Sequence, residues 1–363
     1  MAIPKAMKAV LTRGHGGVEM LDYCEVPTPA PGPEEVLVEV SACGLNNTDI
    51  WNREGKYGTD RDPNAVTGVG RAPGSFPVIQ GADVAGRIVA VGEGVDAARI
   101  GDRVICNFVH YAPKPNAMGF AASLGSPSRP GGYAQYTRVR TENAYGYDGP
   151  LSDAELATFP CAYITAEHML DAAGVEAGQR VLVTGASGGV GSALIQLVNA
   201  RGAAAIAATS ARWAEDVAGL KPRAVVLRDG PNKDNGDGRD FYDQVQDAAG
   251  GEGVHAVTDI VGGPHFSDCL ALLRQGGCYV SAGAIGGPVV PFDIRTMYLK
   301  YLRLIGVSIG YARHFESVLG HIEAGQVKPL LAASYPLSEI RAAQEKFMSK
   351  DFFGNIVVLP QEG

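Results

Sequence analysis

Residues 180–202, RVLVTGASGGVGSALIQLVNARG, carry the residue types that hold a phosphate. A short apolar run, Val181 to Thr184, enters a glycine-rich turn that opens directly into a helix. Val190, Leu194, Leu197 and Val198 give that helix one apolar face, and Gly202 stops it. In such a strand–turn–helix unit, the first helical amides and the positive end of the helix dipole face a pyrophosphate. Read as G-x-G-x-x-G, the positions are Ala186, Gly188 and Gly191, with Gly185 just ahead. Gly188 would let a pyrophosphate approach the backbone, and Gly191 would let the helix pack on its strand. A bare glycine triplet also fits a plain tight turn. The predicted strand, helix and following strand (Ala203 to Thr209) supply the context that a dinucleotide site requires. Gly185, Ala186, Ser187, Gly188, Gly189, Val190 and Gly191 are therefore the expected cofactor contacts.

The end of the second strand discriminates between the two nicotinamide dinucleotides. A carboxylate there binds the adenosine ribose 2′-hydroxyl and repels a 2′-phosphate. In IAATSARW (206–213), Thr209 stands where the acid is expected, with Ser210 and Arg212 just beyond. Hydroxyls and a guanidinium suit a phosphate, so NADP(H) is the expected cofactor. The plain alternative is that Arg212 is a solvated residue at the start of a helix. Ala282, Gly283 and Ala284, at the end of a later strand, are also expected to face the cofactor, because ligands sit at the carboxyl ends of such strands.

Beyond these motifs, 363 residues are enough for two domains with substantial cores. The composition, 46% hydrophobic and 19% charged, is that of an ordinary globular chain. A net charge of −8 with no basic stripe argues against a nucleic-acid or membrane-surface partner. MAIPKAMKAVL has too short an apolar part for a signal peptide, and no run approaches membrane-spanning length. The six cysteines are scattered without C-x-x-C pairs and read as small buried side chains in a reducing cytoplasm.

Residues 1–145 read as short β segments at 6–13, 35–46, 85–95, 101–108 and 133–139, with Gly/Pro-rich joints, as in a compact barrel or sandwich. From about 152 the texture changes to alternating strands and helices. Ser152 and Glu155 form a capping box opening a helix expected to continue past Pro160 to Ala173. Apolar runs at 224–229, 256–261, 278–283 and 302–309 suit buried parallel strands. The tail holds two amphipathic helices and a terminal strand, NIVVLP, and 229–240 reads as a solvated loop. The expected fold class is α/β, built on a doubly wound Rossmann sheet.

GRIVAVGEGV with GDRV, TGASGGVG, DIVGG and FGNIVVLP together resemble the medium-chain dehydrogenase/reductase superfamily, over essentially the whole chain. The resemblance implies a GroES-like β-barrel catalytic domain split between residues 1–151 and 313–363. A Rossmann domain at 152–312 would lie between those pieces, with the active site in the cleft they form. Zinc alcohol dehydrogenases of this family carry a Cys in a G-x-C-x-T-D-like segment and a His in G-H-E. Here GLNNTD places Asn46 in the cysteine position, and GAD places Ala82 in the histidine position. Of the ligands only Cys161 survives, with Asp83 where the family has an acid, and 107–131 contains no cysteine for a structural zinc lobe. An amide and a methyl group cannot replace two of three catalytic ligands, so no metal is expected.

What remains resembles the zinc-independent quinone oxidoreductases and enoyl reductases. Asn46 matches that branch's active-site asparagine, and Tyr57 matches a tyrosine beside the reacting enoyl group. Asn47 departs from the usual proline, and residues 58–75 are an insertion whose Arg61 and Arg71 could draw an anionic substrate. Thr165 matches a position beside the nicotinamide. Plain alternatives stand beside each: Asn46 holding its own turn, Tyr57 and Trp51 packing as aromatics, Thr48 supporting Asp49. The expected activity is NADPH-dependent reduction of quinones or α,β-unsaturated carbonyl compounds. Two alternatives stay open: an alcohol or aldehyde dehydrogenase with an atypical metal site at Cys161 and Asp83, and a non-catalytic NADPH-binding protein. The partners expected are a small-molecule substrate and a second copy, paired through the strand at 302–309.

Overall fold

The computed structural model describes residues 3–57, 76–111, 120–126, 128–228 and 240–361. The insertion at 58–75 and almost all of the polar stretch at 229–240 lie outside them. The first part of the chain is mostly short strands: β1 (Ala6–Thr12), β2 (Leu21–Pro27), β3 (Glu35–Gly44), β4 (Asp83–Val91), β5 (Arg103–Cys106), β6 (Val109–Tyr111), β7 (Phe120–Ser123), β8 (Tyr136–Arg140) and β9 (Ala144–Gly146). Among the described residues one α-helix, α1 (Asn47–Glu54), interrupts them. Ser152 and Glu155 do form a reciprocal cap, opening α2 (Asp153–Leu156). The helix expected to run unbroken to Ala173 stops there, and a second, α3 (Pro160–Ala173), begins at the proline. Proline has no N–H for the preceding turn, so Pro160 opens a helix more readily than it continues one.

The middle of the chain alternates strands with helices: β10 (Arg180–Val183), α4 (Gly189–Ala200), β11 (Ala204–Thr209), α5 (Ala214–Ala218), β12 (Ala224–Leu227), α6 (Phe241–Ala248), β13 (Val254–Asp259), α7 (Phe266–Leu272), β14 (Leu273–Ser281), α8 (Ile294–Leu299), β15 (Arg303–Gly306) and α9 (Ala312–Glu323). All neighbours in the sheet β12-β11-β10-β13-β14-β15 are parallel. The order reverses between β10 and β13, which is where a doubly wound sheet opens a ligand crevice at its strand ends. Leu182, Ile206 and Val257, all fully buried, are the near-continuous apolar strand residues that a sheet covered on both faces needs.

The tail adds β16 (Leu331–Pro336), α10 (Ile340–Ser349) and β17 (Asn355–Leu359). They return to the first part, where β16-β17-β3-β4-β5-β9, with β8 on β3, make one seven-stranded sheet. The two compact units are Met1–Cys161 with Pro329–Gly363, and Ala162–Lys328. The breaks therefore fall at 161/162 and 328/329 rather than at 151/152 and 312/313. At the first break, α2 packs on β3, β4, β16 and β17 and so stays with the first unit. At the second, Ser317 Oγ donates to Glu167 at 2.9 Å and Gln196 accepts the Lys328 N–H at 2.8 Å. These bonds tie α9 and the chain as far as Lys328 to the parallel sheet's unit.

Candidate active site

In the parallel-sheet unit, β10 leaves the sheet through Gly185, whose φ of +59° only glycine adopts without strain. Gly188 caps α4. A Cβ at Gly191 would stand 2.1 Å from the Gly185 carbonyl oxygen, so glycine there is required by the protein's own packing. At Gly188 the same Cβ would meet only the Gly185 oxygen, at 3.5 Å. The fold leaves room at Gly188, which is the room a pyrophosphate would fill. Ala186 and Gly191 are buried, Ser187, Gly189 and Val190 half-buried, and Gly188 exposed.

At the end of β11, Thr209 is 2% exposed and its hydroxyl has no hydrogen-bond partner among the described residues. No acid replaces it; Ser210 and Arg212 come next, and the Arg212 guanidinium lies over the Trp213 ring at 4.7 Å. The β13–β14 side of the rim is held by Asp259. Its carboxylate accepts the Thr184 hydroxyl at 2.5 Å, the Tyr279 hydroxyl at 2.5 Å and the N–H groups of Val261 and Gly262 at 2.8 and 3.1 Å. Ala282 donates to the Asp259 carbonyl, Ser281 to the Gly283 carbonyl, and Gly286 to the Val261 carbonyl. Ala284 accepts from Gly287. Thus the glycine-rich turn, Thr209 to Arg212 and Ala282 to Ala284 follow the carboxyl ends of β10, β11 and β14 in one parallel sheet. Thr165 is buried on α3.

Two residues of the rim were not evident from the sequence. Arg228, whose backbone N–H donates to the Thr209 carbonyl at 3.0 Å, and His265 help line a recess with Thr184, Gly185, Ala208 and Val261. Only the strand order, which lays β12 beside β11, brings Arg228 there. The open Gly188 approach and the Thr209 hydroxyl, unmet among the described residues, fit a dinucleotide.

The other unit gathers a second set of polar groups at the junction of β3, α1 and β4. Asn46 precedes α1, and its backbone N–H donates to Asp49 Oδ2 at 2.9 Å. Its side-chain Nδ2 donates to Asp83 Oδ2 at 3.0 Å, while Asp83 Oδ1 accepts the Cys161 N–H at 2.9 Å. Burial pushes the Asp83 carboxyl up to about 8, with the Asn46 and Cys161 bonds opposing and Asp49 reinforcing. Burial, and then the Asp83 and Asp49 charges, hold Cys161 as a thiol. Tyr57 hydrogen-bonds Thr48, lies 5.5 Å from the Trp51 ring, and is pushed up by burial, so its hydroxyl stays protonated at neutral pH. Asn46 thus caps the start of α1, while Tyr57 follows its C-terminal end with its hydroxyl bonded to Thr48 of the first turn. Arg61 and Arg71 lie outside the described residues.

This donor set does not suit the zinc of the related alcohol dehydrogenases. The Asn46 amide donates to Asp83, Ala82 has no donor atom, and each Asp83 oxygen accepts an N–H. Among the described residues no group of three His, Cys, Asp or Glu side chains is placed to hold a metal ion.

The Alcohol dehydrogenase GroES-like domain family matches residues 32–148, and the Zinc-binding dehydrogenase family matches residues 189–324. A crystal structure from Sinorhizobium meliloti, provisionally described as an alcohol dehydrogenase, is 49% identical with a TM-score of 0.91, over 99% of this chain and 98% of that one. Quinone oxidoreductase of Rattus norvegicus is 29% identical over 98% of both chains. Acryloyl-coenzyme A reductase of Metallosphaera sedula is 28% identical over 97% of this chain and 99% of its own. The chain belongs to the medium-chain dehydrogenase/reductase superfamily, in its quinone oxidoreductase and enoyl reductase branch. It is an oxidoreductase of that type.

Proposed function

We propose that this protein is an NADPH-dependent reductase of quinones or α,β-unsaturated carbonyl compounds that works without zinc. The observation that carries the reading is the Asn46–Asp83 hydrogen bond: an amide stands where related enzymes keep a cysteine ligand, and its N–H is directed at the neighbouring carboxyl. The names of the quinone oxidoreductase and acryloyl-coenzyme A reductase relatives support the same substrate classes. The glycine-rich turn would hold the pyrophosphate, and Ser210 with Arg212 the 2′-phosphate. Bound there, the nicotinamide supplies a hydride equivalent to an electrophilic carbon of the substrate.

Adding that equivalent to a conjugated carbon sends charge to the carbonyl oxygen. In a metal-free site the charge must meet pre-placed donors, each worth a few kcal/mol where water is excluded. The Asn46 amide has a second N–H beyond the one directed at Asp83, and Tyr57 keeps its proton through the neutral range. Tyr57 is the group able to return a proton to the α-carbon, or to a quinone oxygen, directly or through water. An isolated ketone lacks this delocalisation and is the poorer substrate. The six cysteines are free thiols, which suits a reducing cytoplasm as the proposed place of work. Among the described residues no helix is long and apolar enough to cross a membrane.

The test is NADPH oxidation against a panel of quinones, enones, enals and enoyl thioesters, with NADH in parallel and a chelator present or absent. The expected result is chelator-insensitive turnover that prefers NADPH. Alcohol oxidation that stops on chelation would overturn the proposal.

A further inference from the structure

Asn46 is gripped by two carboxyl groups that do different jobs. Asp49 takes its backbone N–H together with the Tyr133 hydroxyl at 2.8 Å and the Gly81 N–H at 3.3 Å, and so fixes the turn. Asp83 takes the side-chain amide and the Cys161 N–H. Asp83 is 2% exposed, and among the described residues no cation faces it; the one charge acting on it, Asp49, repels. A buried carboxyl without a cationic partner is a poor choice for stability, and an uncharged side chain of the same volume would pack at lower cost. The fold nevertheless makes space for it. A Cβ at Gly44, its cross-strand neighbour, would stand 3.1 Å from Asp83 Cβ, 3.2 Å from Asp83 Oδ2 and 2.3 Å from the Ala157 carbonyl oxygen.

A primary amide fits its socket in two orientations, exchanging a carbonyl oxygen for an NH2 group. The Asn46 nitrogen is turned toward Asp83 Oδ2 while Asp83 Oδ1 takes the Cys161 N–H. An ionised Asp83 accepts only this orientation, and its protonation, which burial promotes, adds an O–H donor that relaxes the choice. We infer that Asp83 is a positioning residue for the proposed reduction, fixing the rotation of the Asn46 side-chain amide so that its second N–H serves the substrate oxygen. The inference rests on the proposed role of Asn46. It predicts that an amide at position 83, which brings one donor and one acceptor, reverses Asn46. The Cys161 N–H keeps the acceptor, the new donor takes the Asn46 oxygen, and both Asn46 N–H groups are relocated.

The experiment is a double-mutant cycle on the full-length protein: wild type, Asp83→Asn, Asn46→Ala and the double variant. Each is assayed for NADPH-linked reduction of a quinone and an enone, with kcat and KM separated and Tm recorded. Asp83→Asn alone is expected to lower kcat about tenfold, the scale of losing an outer-shell orienting partner. KM should move less than about twofold, and Tm should stay level or rise because a buried acid is gone. On the Asn46→Ala background the same substitution should change kcat by less than about twofold, since its target is absent. Equal losses in both backgrounds, or an unchanged kcat in Asp83→Asn, overturn the positioning role while leaving the proposed function standing. An unchanged kcat in Asn46→Ala removes the proposed role of Asn46 and this inference with it. Should Asp83→Asn not fold, the cycle is run with Asp83→Ala, which lacks any acceptor and has the same supporting and overturning results.

Discussion

At the scale of single residues, the proposed preference for NADPH turns on a guanidinium. Arg212 lies over the Trp213 ring, and no acid stands at the end of β11 to repel a 2′-phosphate. A charge-assisted hydrogen bond is worth about 1.5–3 kcal/mol, so Arg212→Ala should lower the NADPH-over-NADH ratio of kcat/KM at least about tenfold. A ratio that does not move would show that the phosphate is read elsewhere on the rim. His110 makes a different prediction. It is 2% exposed, neither ring nitrogen has a partner among the described residues, and burial with Arg129 and Arg140 pushes it down to about 4. The unfolded chain therefore takes up this proton first. The contribution is complete above the ordinary imidazole range and is lost as pH falls from about 6.5 toward 4, by up to about 3 kcal/mol. Melting curves across that window should fall less steeply for His110→Phe than for wild type; parallel curves would refute it. In the sequence His110 is only one of seven histidines without metal-ligand spacing. Periodicity shows that a β segment is buried, not that a polar ring within it lacks a partner.

At the scale of elements, the β10–α4 turn separates what folding requires from what a ligand requires. A Cβ at Gly191 meets backbone at 2.1 Å, and one at Gly188 meets ordinary contact at 3.5 Å. Gly191→Ala should therefore lower Tm by several degrees, as strain in a packed turn of a few kcal/mol does. Gly188→Ala should melt with the wild type yet bind NADPH at least about tenfold more weakly, because its methyl group enters the phosphate approach. Titration by protein fluorescence beside thermal melts distinguishes the two; equal affinity in Gly188→Ala would move the pyrophosphate off this turn. The turn was legible because its chemistry is local: an apolar strand, glycines and a helix face within 23 residues. The parallel strands were legible for the same reason, as unbroken apolar runs. Less legible were β2 and β16, whose residues are largely half-buried and do not alternate cleanly. The break before Pro160 was also missed, since the apolar pattern runs across it. The Asn46–Asp83 pair spans 37 positions. Sequence could name both residues but not that one holds the other.

At the scale of the whole molecule, β15 ends the parallel sheet among the described residues, paired on one side with β14. The residues leading into it are unusually apolar and exposed: Val289 is 79% exposed, Leu299 64% and Tyr301 72%, with Ile294 and Tyr298 beside them. An open strand edge flanked by apolar surface invites pairing with another chain. A second copy of the same chain satisfies both at once, because a two-fold axis lets β15 meet its equivalent antiparallel and turns each apolar flank onto the other. We propose a homodimer on this edge. Light scattering of the purified protein should then give about twice the 37.9 kDa chain mass. Placing like charges opposite one another with Val289→Glu and Leu299→Glu should halve that mass while leaving the far-ultraviolet circular dichroism unchanged. Both positions are exposed within one chain, so the folded subunit has no reason to resist them. A wild-type protein that runs as a monomer, or a double variant that stays dimeric, would mean that this edge is covered in some other way.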